Sequence, residues 1–281
     1  MAHDIELAEK KKMIVKDKLA ILGAIILAFV AITAIIGPWI VNTDPYETDL
    51  GIRLNPPDPD YLMGTDHLGR CIFTRVLFGA RVSISISIAV LAVSLSVGVF
   101  IGVLAGYAGG FVDTIIMRII DILLAFPGLI LAMAIAGILG PSLINTMIAV
   151  VVVSWVGYAR ITRAMVLSAK EKDYVKMARI CGTPHFLIIV RHIIPNIISP
   201  IIVLATLDVG STILRIAGLS FLGLGAQPPT AEWGAMINDG RAFMQTAPWV
   251  MFFPGLAILS VVVGFNLLGD GLRDLYDPKD I

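Results

Sequence analysis

Few residues of this chain carry charge. Asp, Glu, Lys and Arg make up 15% of its 281 residues, against about a quarter in a soluble domain. The two signs balance, 21 basic against 21 acidic, so the basic excess of a nucleic-acid-binding surface is missing. No Gly-Lys dipeptide occurs, which excludes a P-loop for a nucleotide. H-E-x-x-H and G-x-S-x-G are also missing, so neither a zincin site nor a serine nucleophile elbow is encoded. Cysteine is limited to Cys71 and Cys181. In "HLGRC", His67 and Cys71 stand four apart, but two ligands without a third make a weak metal site. No metal site and no catalytic group are expected.

Apolar residues fill the space that charge leaves. They make up 57% of the chain, with a mean hydropathy of +0.89. A membrane-crossing helix needs about 20 mainly apolar residues. Six segments qualify, at about 19–41, 82–107, 112–138, 144–167, 194–224 and 248–269. The expected fold is all-α and polytopic. The expected order is a segment 1–18, a first span 19–41, a loop 42–81, a five-helix core 82–272 and a tail 273–281. The charged "MAHDIELAEKKKMIVKDK" precedes the first run without an obvious small-residue cleavage site, so that run is read as a retained span.

The uneven placement of charge orients the spans. Residues 1–18 carry Lys10, Lys11, Lys12, Lys16 and Lys18. The 159–193 linker carries Arg160, Arg163, Lys170, Lys172, Lys176, Arg179 and Arg191 against Glu171 and Asp173. The 42–81 loop is acidic, with Asp44, Glu47, Asp49, Asp58, Asp60 and Asp66. Lys and Arg favour the cytoplasmic side, so both termini and the 168–193 linker are expected inside, with the 42–81 and 225–247 loops outside. Cys71 and Cys181 then lie on opposite faces of a layer about 30 Å thick and do not pair.

Several spans carry local signals. Gly98, Gly102, Gly106 and Gly110 recur every four residues, a face that lets a neighbouring backbone approach. "SISISI" (Ser83–Ile88) alternates like a strand, yet helix is expected, because an isolated strand leaves its backbone unpaired in lipid. "AFPG" (Ala125–Gly128) predicts a kink at Pro127 in the third span. Charges within spans are few, and Asp121, Asp208 and Arg215 stand out among them; such groups line a pathway or pair with another helix. Seven residues apart, Asp208 and Arg215 share a face at about 10 Å, a spacing that predicts no direct ion pair.

"EKDYVKMARICG" (Glu171–Gly182) interrupts the apolar chain. Tyr174, Val175, Ala178, Cys181 and Gly182 fall near one helix face, and Lys172, Lys176 and Arg179 face away. Gly182 supplies a left-handed helix end, and Pro195 is expected to start the next span. The stretch reads either as an interfacial helix on anionic lipid or as a protein-docking helix whose small face makes the contact.

The stretch resembles the cytoplasmic loop of ABC importer permeases, E-A-A-x3-G-x9-I-x-L-P. Ala178, Gly182, Ile194 (for Leu) and Pro195 match in register, while Lys176, Met177 and His192 replace Glu, Ala and Ile. "MGTDHLGRCIFTRVLFGARVS", "DILLAFPG", "GYARITR", "LSFLGLGAQPP", "EWGAMI" and "FNLLGDGLRDLYDP" resemble the C-type permease subunit of dipeptide, oligopeptide and nickel importers. Cys71 and Ile216 depart from the usual Asp and Glu.

The resemblance implies a type I ABC importer permease fold, with an ATPase-coupling helix at Tyr174, Val175, Lys176, Met177, Ala178, Arg179 and Gly182, followed by Pro195. It implies a second permease chain, two ATPase subunits holding ATP and Mg²⁺, and an extracytoplasmic substrate-binding protein. That protein would dock on the 225–247 loop, where Pro228, Pro229, Glu232, Trp233 and Asp239 cluster. This chain would bind no cofactor and be no enzyme, and would sit in a prokaryotic cytoplasmic membrane. The implied cargo is a peptide, with nickel or another small solute as the alternative. An ion-gradient transporter would need coupling carboxylates in its spans, where only Asp121 and Asp208 qualify.

Overall fold

The computed structural model describes residues 18–41 and 43–276. The expected N-terminal segment thus lies almost wholly outside the described residues, as does part of the tail. The regular structure described is helical: α1 (Lys18–Ile40), α2 (Ile72–Ala108), α3 (Gly110–Leu124), α4 (Gly128–Leu139), α5 (Leu143–Lys170), α6 (Asp173–Ile180), α7 (His185–Phe221), α8 (Trp233–Gly240) and α9 (Trp249–Tyr276). Five of these are long and apolar enough to cross a membrane, and α3 with α4 makes a sixth if counted as one broken span. The chain is an all-α polytopic membrane protein. "SISISI" is helical within α2, where Ser87 returns its hydroxyl hydrogen to the Ser83 carbonyl at 2.7 Å.

Three boundaries differ from expectation. The third span is not a kinked helix but two helices bent by 87°. Pro127 has a ψ of 120°, outside the helical range, so the chain leaves α3 and restarts at Gly128. α2 begins ten residues earlier than the hydropathy pattern suggests; its 37 residues span roughly 55 Å and extend well beyond the hydrocarbon layer. α7 begins at His185 rather than near Pro195. Its backbone passes through a π turn at Ile189–Ile193, where Ile194 N–H donates to the Ile189 carbonyl. The wider turn accommodates Pro195, which has no N–H and would crowd a regular helix.

Glycine governs the main helix contact. A methyl group on Gly98 would lie 2.5 Å from Tyr158 Cβ, and one on Gly102 would lie 2.5 Å from the Ala159 carbonyl oxygen. One on Gly106 would lie 2.9 Å from Val166 Cβ. α2 therefore lies directly on α5. Gly110 does not belong to this seam. α2 has ended at Ala108, Gly109 and Gly110 take φ of +68° and +53°, and Gly110 faces open space.

Polar groups anchor the end of the bundle that carries the 43–71 loop. Arg70 Nε donates to Asp66 at 2.6 Å, and Arg70 Nη2 reaches Asp239 at 3.3 Å. Arg75 lies 3.6 Å from Asp66 and donates to the Pro45 carbonyl at 3.1 Å. Glu232 caps α8, accepting from Gly234 and Ala235 N–H at 2.9 Å each. Trp233 Nε1 donates to the Val76 carbonyl at 3.0 Å. These contacts fasten the 43–71 loop to the start of α2 and to α8. Glu232 and Trp233 are each 1% exposed, so they hold the fold and are not part of a docking face. Gln227, Pro228 and Pro229 remain exposed in that loop.

Candidate functional site

Two places on this scaffold carry chemistry: the α5–α6–α7 corner and a cleft between α4, α5 and α7.

α6 is built to stand at the corner. Asp173 lies in its first turn and Arg179 in its last, each matching the helix dipole. Thr183 N–H donates to the Ala178 carbonyl at 3.0 Å and Gly182 N–H to the Arg179 carbonyl at 3.1 Å. This paired closure requires a left-handed residue, and Gly182 has a φ of +77°. The helix thus ends at the expected glycine.

Its faces differ from expectation. Val175 is fully buried in an apolar cluster with Val166, Ala169, Ile188 and Ile193, and Ala178 packs against the same cluster. The small side chains seat α6 on its own chain, because small residues allow the closest approach to α5 and α7. Tyr174, Met177 and Ile180 point outward; Ile180 is 77% exposed. Lys176 and Arg179 are exposed as well. Lys176 pairs with Glu171 at 3.0 Å, and its hydrogen bond holds the Glu171 carboxyl below the usual glutamate range. Both side chains are at the surface, so the pair adds little stability.

The corner is tied to α2. Lys170 Nζ donates to the Gly106 and Tyr107 carbonyls at 3.1 and 2.9 Å, taking up oxygens that the end of α2 leaves free. Tyr107 Oη lies 2.7 Å from His185 Nδ1. Asp113 pairs with Arg163 on α5.

The cleft has a volume of about 580 Å³. Its walls are mostly apolar, including Leu124, Leu129, Val150, Val153, Leu204 and Leu207. One polar cluster interrupts them. Asp208 accepts hydrogen bonds from the Tyr158 and Ser211 hydroxyls. Arg215 Nη2 donates to Asp208 Oδ1 at 3.1 Å. The expected separation of Asp208 and Arg215 is thus corrected. Helical side chains lean toward the N-terminus, so the long arginine reaches back two turns to the shorter aspartate. Arg215 Nη1 also lies 3.4 Å from Ser154 Oγ.

Asp121 does not line the cleft. It pairs with Arg160 at 3.3 Å, with both side chains more than half exposed. Sequence reasoning missed Ser154, Tyr158 and Ser211. A Ser and a Tyr four apart in one apolar run was the available signal, since that spacing puts both on one helix face. Among the described residues, no group of three or more His, Cys, Asp or Glu is placed to hold a metal ion. His67 stacks on Phe243 at 5.7 Å between ring centres.

Comparison with known proteins gives two family matches. Residues 98–279 match the family described as binding-protein-dependent transport system inner membrane component. Residues 12–57 match the N-terminal TM domain of oligopeptide transport permease C. The chain is 46% identical to the dipeptide transport system permease protein DppC of Alkalihalophilus pseudofirmus, over 96% of this chain and 89% of that protein. It is 45% identical to the probable D,D-dipeptide transport system permease protein DdpC of Escherichia coli, over 95% and 90% respectively. Against the nickel transport system permease protein NikC of Escherichia coli the identity is 44%, over 92% and 93%.

Proposed function

Because this chain belongs to the family of binding-protein-dependent transport system inner membrane components, we propose that it is the membrane-spanning subunit of an ATP-driven importer carrying peptides across a prokaryotic cytoplasmic membrane. A second, related permease chain completes the path. Two ATPase subunits bind ATP and Mg²⁺ on the cytoplasmic side, and a substrate-binding protein delivers cargo from outside. The termini and α6 face the cytoplasm. This chain performs no bond chemistry of its own.

The carrying observation is α6. Its buried side holds it rigidly to α5 and α7, and its outer side presents Tyr174, Met177 and Ile180. An apolar face standing out from a cationic corner suits a groove on a protein partner. The small residues of the family motif support the helix from behind, and the larger side chains make the contact. Movement of the ATPases then reaches the spans through Val175 and its cluster.

The cleft between α4, α5 and α7 is this chain's share of the path, with Asp208 and Arg215 as its polar lining. The identity to the nickel permease keeps nickel as a second reading. Histidine and cysteine, the side chains best suited to binding nickel, do not occur among the residues lining the cleft, which favours a peptide.

The test is reconstitution of this chain in vesicles with the second permease, the ATPases and the binding protein of the same importer. ATP-dependent uptake of a labelled dipeptide is expected. Uptake that follows an ion gradient and ignores ATP would overturn the proposal.

A further inference from the structure

The hydrogen-bonding capacity of the cleft is one-sided. A carboxylate has about four lone-pair sites. Asp208 receives four donors: the Tyr158 hydroxyl, the Ser211 hydroxyl and two contacts from Arg215, at 3.1 and 3.5 Å. It has nothing left to offer a cation. The hydroxyl hydrogens of Tyr158 and Ser211 are committed to it. Arg215 has five N–H donors. Nη1 is shared between Ser154 and Asp208, and one Nη2 hydrogen goes to Asp208. Nε and the second Nη2 hydrogen have no partner among the described residues. The Arg215 side chain is 39% exposed, against 22% for Asp208, and both line the cleft. The spare donors therefore belong to the more exposed of the two side chains, and the saturated carboxylate to the less exposed.

We infer that Arg215 is a specificity-determining residue that receives the carboxylate terminus of a peptide in transit, and that Asp208 is the positioning residue holding its guanidinium. This rests on the peptide-importer reading above and adds which end of the cargo the permease reads. A planar guanidinium with two free N–H groups matches a carboxylate fork. Apolar walls strengthen the attraction, and Asp208 offsets the charge so that the carboxylate is not trapped. The amino terminus of the peptide finds no free carboxylate in this cluster, because Asp208 is already saturated.

The experiment uses the reconstituted importer and three labelled probes: a dipeptide, its C-terminal amide and its N-acetyl form. Each is supplied at a concentration that saturates the binding protein, and uptake is expressed per ATP hydrolysed. The wild type is expected to move the acid about tenfold or more faster than the amide, and the N-acetyl form at nearly the rate of the acid. Arg215→Gln should bring the acid-to-amide ratio close to one. Arg215→Lys, which keeps the charge without the fork, should retain an intermediate ratio. Asp208→Asn should lower uptake of the acid more than that of the amide. Equal uptake of acid and amide by the wild type overturns the inference, as does an unchanged ratio in Arg215→Gln. Failure of the wild type to import any of the three, with ATPase stimulation by the binding protein intact, would remove the peptide reading itself.

Discussion

The Tyr158 hydroxyl donates to the Asp208 carboxylate, joining α5 to α7. The bond crosses the cleft wall at the place where Gly98 presses on the same tyrosine from α2. Three helices thus meet at one residue, with its Cβ against a glycine and its hydroxyl on an aspartate.

Tyr158→Phe keeps the ring and removes the bond. Polar contacts between membrane helices are worth about 0.6–2 kcal/mol, so a loss of that size in thermal stability is expected in the purified complex. Unchanged stability would mean that the bond is offset by other contacts of Asp208.

Gly102→Leu should prevent α2 from seating on α5, because even a methyl group there would lie 2.5 Å from the Ala159 carbonyl oxygen. Backbone atoms cannot rotate aside, so protein level and complex assembly should fall sharply. Gly137→Ala, in α4 with open space around it, should be tolerated. Equal recovery of both variants in membranes would contradict the packing account.

Long elements and the helix end at Gly182 could be read from the residues, because apolar runs and a left-handed glycine act locally. What escaped was set by neighbours. "AFPG" marks a break, but its 87° angle depends on where α3 and α4 find packing. The outward face of α6 was misread because Val175 and Ala178 are equally apolar whether they meet a partner or their own α5. The Asp208–Arg215 pair was missed because spacing along the axis ignores how far an arginine leans back. The glycine repeat was legible through Gly106 and failed at Gly110, where the helix had already ended.

The charge cluster around Asp66 should be intolerant of partial removal. Asp66 holds both Arg70 and Arg75, each at most 3% exposed. Asp66→Asn leaves the buried Arg75 without its ion-pair partner and Arg70 with Asp239 alone, at a cost of about 3–5 kcal/mol. The expected result is a marked fall in folded protein, measured by detergent-solubilised yield and thermal stability. Wild-type values for both would contradict a structural role.

Orientation is checked by single cysteines in a background with Cys71 and Cys181 replaced by serine. Asp60→Cys and Gln245→Cys should react with an impermeant thiol reagent in sealed, right-side-out vesicles. Lys172→Cys should react only after the membrane is opened. All three native residues are exposed, so burial does not confound the result. Reaction of Lys172→Cys in sealed vesicles would reverse the orientation.

The most direct test of the account is ATP hydrolysis stimulated by loaded binding protein, compared between Ile180→Asp and Val175→Asp in the reconstituted complex. Ile180 is 77% exposed and Val175 fully buried. The account predicts that Ile180→Asp inserts and folds normally but fails to retain the ATPases and loses stimulation, whereas Val175→Asp loses folded protein. Full stimulation in Ile180→Asp, with ATPases bound as in the wild type, would contradict α6 as the link between this chain and its energy source.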